Sequence, residues 1–398
     1  MKYIISSALL LAVPAFAAPT TPSSLFERQS TCAAIPSGYT YKTDAKLPDP
    51  FTTAAGAKVA TLADWECRKA EIRQLFAKYE LGDTPPKPAT VTGTVSSSSI
   101  SVSVSDGGKS ISFSAKVTLP SGGTAPYPML ITIGGSSLPA LSGVGTIAFG
   151  NDEMAQQQGS GSRGKGKFYD LYGSGHSAGA TTAWAWGVSR IIDVIEANPS
   201  SNIDLKRLAV TGCSRNGKGA FIVGALEERI ALTIPQESGS GGAACWRISD
   251  SENSAGKKIQ TAGELVGEDP WFSKNLDTYA KSTSTMAVDH HMLAALIAPR
   301  ALLVIENNIN WLGPVSTTGC QRAGLQIYKA LSVSDHMGFS ESAEHSHCQF
   351  PSSQQPELTA FVNRFLKGGS DSTAGVDKST ESSVTASTYA SWTAPILT

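Results

Sequence analysis

In residues 64–79 (DWECRKAEIRQLFAKY), Trp65, Ile72, Leu75, Phe76 and Tyr79 recur at helical spacing, which predicts a helix with one apolar face. The rhythm then changes. Across residues 91–117 serine alternates with valine and isoleucine, and period-two alternation predicts two or three short antiparallel strands at a sheet edge. Residues 129–133 form a largely apolar run ending at Gly134-Gly135, the pattern of a buried strand feeding a tight loop. Further along, 180–197 reads as helix, 207–211 as strand, 218–229 as helix, 231–235 and 301–305 as strands, and 357–366 as helix. This alternation predicts an α/β fold, with a largely parallel central sheet covered by helices on both faces and antiparallel N-terminal edge strands. No internal repeat is present. The Ser/Thr-rich tail from Gly368 is expected to be loosely attached.

The first residues change the picture. Lys2, an apolar run at 4–13 and Ala15-Phe16-Ala17 have the layout of a secretory signal peptide, residues 1–17. A Pro/Ser/Thr-rich leader (18–31) follows, expected to be flexible, and 32–398 is expected to form a single domain. No later run is apolar for long enough to cross a bilayer, so a soluble, exported protein is expected. Of the 398 residues 41% are hydrophobic, enough for one large core, and the formal net charge is -1 with no long run of one sign. A basic nucleic-acid footprint is therefore missing. Export makes three disulfides the expectation for the six cysteines, with their connectivity left open. There is no Cys-x-x-Cys pair, which argues against structural zinc. Asn198 is followed by Pro199, so no Asn-x-Ser/Thr acceptor survives.

One stretch carries candidate chemistry. The strand at 207–211 runs into Gly212-Cys213-Ser214-Arg215-Asn216-Gly217, and a helix follows. A serine on a sharp strand-to-helix turn has its hydroxyl raised above the sheet edge, as in α/β-hydrolases. The N–H of the next residue, Arg215, can then donate to an oxyanion, and the helix N-terminus favours that charge. Asn216 stands where the second glycine of G-x-S-x-G is usual, with Gly217 one place later. A literal G-x-S-x-G occurs at Gly175-His176-Ser177-Ala178-Gly179, but residues 167–172 before it (KFYDLY) make a poor central strand. Context favours Ser214 over Ser177.

A serine nucleophile needs a base, and imidazole serves near neutral pH. His336, His345 and His347 come late enough for the order Ser, acid, His. Cysteines separate them. Cys213 precedes Ser214 and Cys348 follows His347, so a Cys213–Cys348 bridge would pin nucleophile and base together. His347 is therefore the expected base. Glu237 follows the strand at 231–235 and Glu306 the strand at 301–305; these positions alone do not choose the acid. His345-x-His347 and His290-His291 could ligate a metal, but nothing nearby completes a site at ligand spacing. No metal or other cofactor is expected.

Gly212-Cys213-Ser214-Arg215-Asn216-Gly217-Lys218 resembles the signature of fungal glucuronoyl esterases, the fifteenth carbohydrate esterase family. So do Asp64-Trp65-Glu66-Cys67-Arg68, Pro235-Gln236-Glu237-Ser238-Gly239, Asn310-Trp311-Leu312 and His345-Ser346-His347-Cys348-Gln349-Phe350. The resemblance covers nearly the whole mature chain. It implies a three-layer αβα sandwich and hydrolysis of the ester joining 4-O-methyl-glucuronic acid on glucuronoxylan to lignin alcohols. It also implies Glu237 as the acid with Glu306 second, Arg215 as oxyanion stabiliser, and Lys218, Gln260, Glu268 and Trp311 as sugar contacts. The implied disulfides are Cys32–Cys67, Cys213–Cys348 and Cys245–Cys320. The implied partner is the lignin–carbohydrate complex. Residues 18–31 are too short to hold the carbohydrate-binding module that many family members carry, and a monomer with no nucleic-acid or membrane partner is expected. The rival readings are an acetylxylan or feruloyl esterase, a lipase, for which no apolar lid is visible, and a non-catalytic polysaccharide-binding protein.

Overall fold

The computed structural model describes residues 32–398; the expected signal peptide and leader lie outside the described residues. Met1–Ala34 and Ile35–Thr398 separate as two units, and the fold below is that of the second. Its first long helix, α1 (Leu62–Phe76), buries Trp65, Ile72, Leu75 and Phe76. Thr61 and Asp64 close a capping box at its start, supplying partners to N–H groups that no helical carbonyl reaches. A π-helical turn, Ala77–Leu81, continues the segment and buries Tyr79.

Three antiparallel strands follow: β1 (Thr90–Val95), β2 (Ser99–Asp106) and β3 (Lys109–Thr118). Over the first six residues of β2 burial alternates, with Ile100, Val102 and Val104 inward and Ser99, Ser101 and Ser103 outward. Then come β4 (Tyr127–Ile133), β5 (Gly145–Phe149), α2 (Lys167–Tyr172), α3 (Ala180–Ala197), β6 (Ile203–Cys213), α4 (Arg215–Leu226) and β7 (Leu232–Gln236). The chain continues through α5 (Trp246–Ser254), α6 (Ala262–Glu268), α7 (His291–Ile297), β8 (Ala301–Asn307), α8 (Pro314–Ala330), β9 (Met337–Ser342), α9 (Gln355–Lys367) and β10 (Asp377–Lys378). All ten strands form one sheet in the order β1-β2-β3-β5-β4-β6-β7-β8-β9-β10. The pairs from β5 to β10 are parallel, and those from β1 to β5 through β3 are antiparallel.

Both faces are covered. Leu208 and Val210 of β6 join one apolar cluster with Phe221 of α4 and Ile327 of α8, while Ala209 between them joins a second with Leu358 and Val362 of α9. Successive strand residues point to opposite faces, so α4 and α8 cover one side of the sheet and α9 the other. This is the three-layer α/β-hydrolase arrangement.

One expectation needs correction. The tail beyond Gly368 is fastened: β10 pairs with β9, Arg322 meets Asp377 at 3.0 Å, and Trp392 Nε1 donates to the Leu47 carbonyl at 3.1 Å. Its serines and threonines work as hydrogen-bonding groups, with Ser379 and Thr380 both donating to Glu341. Strands β5 and β9 and the helix α8 gave no signal in the pattern. Among the described residues no helix is long and apolar enough to cross a membrane.

Candidate active site

The site is built at the carboxyl ends of β6, β7 and β8. Ser214 stands between β6 and α4 with φ 60° and ψ -129°, a backbone state that costs a non-glycine residue energy. The turn holds because its neighbours are small. A Cβ on Gly212 would come within 2.4 Å of the Asn216 carbonyl oxygen, and one on Gly217 within 2.4 Å of the Gln236 carbonyl oxygen. The Asn216 side chain, at the position where a glycine is usual, is itself held: its Oδ1 accepts from Asn151 at 3.1 Å and from Gln157 at 3.2 Å. Glu237 (φ 42°) and Cys348 (φ 61°) are left-handed too. Three of the five positive-φ non-glycine residues among the described ones thus gather here, which fits strain kept where function needs it.

Cys213 and Cys348 are joined, with Cα atoms 5.9 Å apart across a sequence separation of 135. The bridge therefore ties the chain next to Ser214 to the chain next to His347. His347 Nδ1 lies 2.8 Å from Glu237 Oε2. The same oxygen accepts from the Cys348 N–H at 2.9 Å and from Asn307 Nδ2 at 3.2 Å. A carboxylate facing Nδ1 fixes the proton there, and Nε2 of His347 has no hydrogen-bond partner. An imidazole so oriented presents a bare basic nitrogen.

Glu306 is buried on a different errand. Its Oε1 accepts from the Ser238 N–H at 2.8 Å, the Ser238 hydroxyl at 3.0 Å and the Gly239 N–H at 3.4 Å. Burial outweighs these donors and pushes its acid up to about 8. Side chains alternate along a strand, so it is the next residue, Asn307, that reaches Glu237. Sequence reasoning missed Asn307, although a polar residue at the carboxyl end of a strand was a readable signal. His345, weighed from the sequence as a base or a metal ligand, sits behind the same carboxylate, its Nδ1 3.9 Å from Glu237 Oε1 and 3.2 Å from Asn307 Nδ2.

The other named residues divide into near and far. Lys218, in the first turn of α4, is fully buried and donates to the carbonyls of Ser238 at 2.5 Å and Ser240 at 2.7 Å. Burial pulls its amine down to about 8, opposed by the neighbouring Glu306 and Glu268 side chains. Its Nζ lies 5.7 Å from the Trp271 ring centre, and the Arg215 guanidinium lies 5.8 Å from the same ring. Trp271 was not anticipated; nothing in its sequence context set it apart. Arg215 keeps a side chain 49% exposed, 3.9 Å from Asp269. Trp311 packs edge-on against His347, ring centres 4.8 Å apart, and its carbonyl accepts from the Gln260 N–H at 3.3 Å. Gln260 Nε2 reaches Glu268 at 3.4 Å. Gln260, Glu268 and Trp311 line one open cleft of about 620 Å³ with Lys257 and Lys258.

Ser177 is elsewhere engaged. Its hydroxyl donates to Asp83 at 2.8 Å and accepts from the Asp83 N–H at 2.9 Å, and the segment before it is the helix α2. His290 meets Glu80 at 2.8 Å and the Gly242 carbonyl at 2.7 Å; His291 meets the Pro48 carbonyl at 2.9 Å. Cys245 and Cys320 form a second bridge, and Cys32 and Cys67 are disulfide-bonded as well.

Comparison with known proteins decides the family. Residues 102–332 match the model described as glucuronyl esterase, fungi. A 4-O-methyl-glucuronoyl methylesterase of Neurospora crassa is 55% identical over 394 residues, covering 99% of each chain. The chain belongs to the fungal glucuronoyl esterases. Another relative of this family, the 4-O-methyl-glucuronoyl methylesterase of Thermothelomyces thermophilus, is 56% identical over 98% of this chain and 97% of its own. The crystal structure of a glucuronoyl esterase from Sporotrichum thermophile superposes with a TM-score of 0.89 at 56% identity, covering 92% of this chain and all of that one. A serine-to-alanine mutant of that enzyme, solved in complex with methyl 4-O-methyl-β-D-glucopyranuronate, aligns equally well. As a glucuronoyl esterase, the chain is a carboxylic-ester hydrolase.

Proposed function

We propose that this glucuronoyl esterase is secreted and cleaves the ester between 4-O-methyl-D-glucuronic acid side chains of glucuronoxylan and lignin alcohols, through an acyl-enzyme on Ser214. The observation that carries the reading is the linkage of Glu237, His347, Cys348 and Cys213: the carboxylate meets Nδ1 at 2.8 Å, and the bridge beside the imidazole ends one residue before Ser214.

In this mechanism His347 Nε2 takes the Ser214 proton as Oγ attacks the uronoyl carbonyl. Glu237 offsets the charge that forms on the imidazole, and it holds the ring by Nδ1. The Arg215 N–H, at the first position of α4, donates to the oxyanion, and its guanidinium adds positive potential. His347 then returns the proton to the departing alcohol oxygen as the tetrahedral carbon collapses to the Ser214 ester. Water, deprotonated by His347, attacks that ester; the proton passes to Ser214 Oγ, and the uronic acid leaves. Every proton in this cycle moves through His347, so the protein's own residues suffice.

Lys218, Gln260 and Glu268 offer donors and acceptors to the uronate hydroxyls, and Trp311 offers an indole face to the sugar ring. The substrate class is supported by the relatives' names and by the glucuronate ester bound to the Sporotrichum thermophile mutant. Secretion is supported by the N-terminal residues and by disulfide-bonded cysteines. The test is a panel of methyl glucuronate, acetyl and feruloyl esters assayed side by side. Preferential turnover of the glucuronate is expected; preference for either other ester would replace this reading.

A further inference from the structure

An ester has two halves, and the residues assigned above take only the acyl half. They lie toward one side of the sheet: Lys218 is part of α4, and Trp311 immediately precedes α8. On the opposite side, under the start of α9, a second cleft of about 450 Å³ opens between the β4–β5 loop and the segment after β9. Ser137, Pro139, Cys348, Phe350, Ser352 and Gln355 line it. Its volume falls within the range of about 300–1,000 Å³ usual for small-molecule sites.

Its position is tied to the catalytic residues by covalent structure. Cys348 lines the cleft, follows His347 and bridges to Cys213, which precedes Ser214. The cleft thus begins one residue from the proposed base and one disulfide from the proposed nucleophile. Its chemistry differs from that of the cleft beside Trp311. That one carries Lys257, Lys258, Glu264 and Glu268; this one is lined by no ionisable side chain. Phe350 is anchored against the apolar cluster beneath α9, presenting a ring already fixed in place.

We infer that this neutral cleft binds the alcohol half of the ester, an aryl-alkyl alcohol whose ring packs on Phe350. The inference rests on the glucuronoyl reading above, and it follows from direction. His347 must deliver its proton to the alcohol oxygen, so the leaving group departs beside the imidazole; the sugar contact Trp311 packs on that ring, and Cys348, the next residue, lines the neutral cleft. An aromatic ring is the group that gains from a rigid ring and an uncharged wall.

The test uses the full-length protein with methyl and benzyl esters of 4-O-methyl-glucuronic acid. Phe350→Ala removes the ring. Ser352→Glu, at an exposed position outside the apolar cluster, places a carboxylate that a bound ring would have to desolvate. The benzyl-to-methyl ratio of kcat/KM is expected to fall by about tenfold in each variant. An unchanged ratio in Ser352→Glu, or equal losses on both esters in both variants, overturns the assignment of the cleft. Wild-type protein that hydrolyses neither ester overturns the glucuronoyl reading itself, a result distinct from an active enzyme with an unmoved ratio.

Discussion

Glu237 Oε2 stands 2.8 Å from His347 Nδ1, and two further donors, the Cys348 N–H and Asn307 Nδ2, converge on the same oxygen. The carboxylate is thereby held in one orientation. Glu237→Gln keeps the shape but removes the charge that, in the proposed mechanism, balances an imidazolium. It should lower kcat by about 10²–10⁴-fold with little change in KM. Glu306→Gln should leave kcat close to wild type, because Glu306 serves the Ser238–Gly239 turn. Steady-state kinetics of the two variants distinguish the acids; a larger loss in Glu306→Gln would reverse the assignment.

Glu306 supplies a pH signature. Burial raises its acid from an ordinary 4.5 to about 8, so between those values the folded protein holds a proton that the unfolded chain has released. Its contribution to stability is therefore full below about 4.5 and is lost as pH rises toward 8. Urea unfolding at intervals across that window should show stability falling with pH, and Glu306→Gln should flatten the slope. An unchanged slope would contradict a neutral buried Glu306.

The Cys213–Cys348 bridge spans a sequence separation of 135, and closing a loop of that size contributes on the order of 4–5 kcal/mol in the chain-entropy treatment. In the proposed mechanism its position beside both Ser214 and His347 gives it a kinetic role as well. A Cys213→Ala/Cys348→Ala double variant should lose thermal stability and also kcat at temperatures where it remains folded. The equivalent change at Cys245 and Cys320 should affect Tm but leave kcat near wild type. Thermal melts paired with kinetics at 25 °C check this; equal kcat losses in both double variants would count against a role for the first bridge in catalytic register.

Lys218 is an ammonium in a buried place, its amine pulled down to about 8. Below that pH it is charged, and above it the charge is lost. KM for methyl glucuronate should therefore rise as pH passes 8. Lys218→Ala should raise it about 10–100-fold, the worth of a charge-assisted hydrogen bond, with a smaller effect on a simple acetate ester. Equal losses on both esters would mark Lys218 as structural.

Much of this was legible because it obeys local rules. The β2 serines and valines alternate by face, α3 runs Ala180–Ala197 as its spacing indicates, and β6 feeds a turn whose glycines admit no Cβ. What escaped notice depends on tertiary packing. Helix α8 carries no continuous apolar stripe, because Gly319 packs against Tyr389 and Gly324 against Ala294 and Met337; close approach replaces side-chain bulk there. Strand β9 holds Gly338 against Phe361 for the same reason. The choice between Glu237 and Glu306 could not be read from two strand ends, since it turns on which way neighbouring side chains face. The tail's attachment was hidden by its polarity: Ser379 and Thr380 bind the inward carboxylate of Glu341.

The central claim is that Ser214 is a nucleophile made reactive by His347, and a fluorophosphonate probe followed by peptide mass spectrometry tests it most directly. The label should appear on Ser214 in the wild-type protein, vanish in Ser214→Ala, and fall to a trace in a folded His347→Ala variant. Label carried by Ser177, or undiminished labelling of Ser214 without His347, would contradict the account.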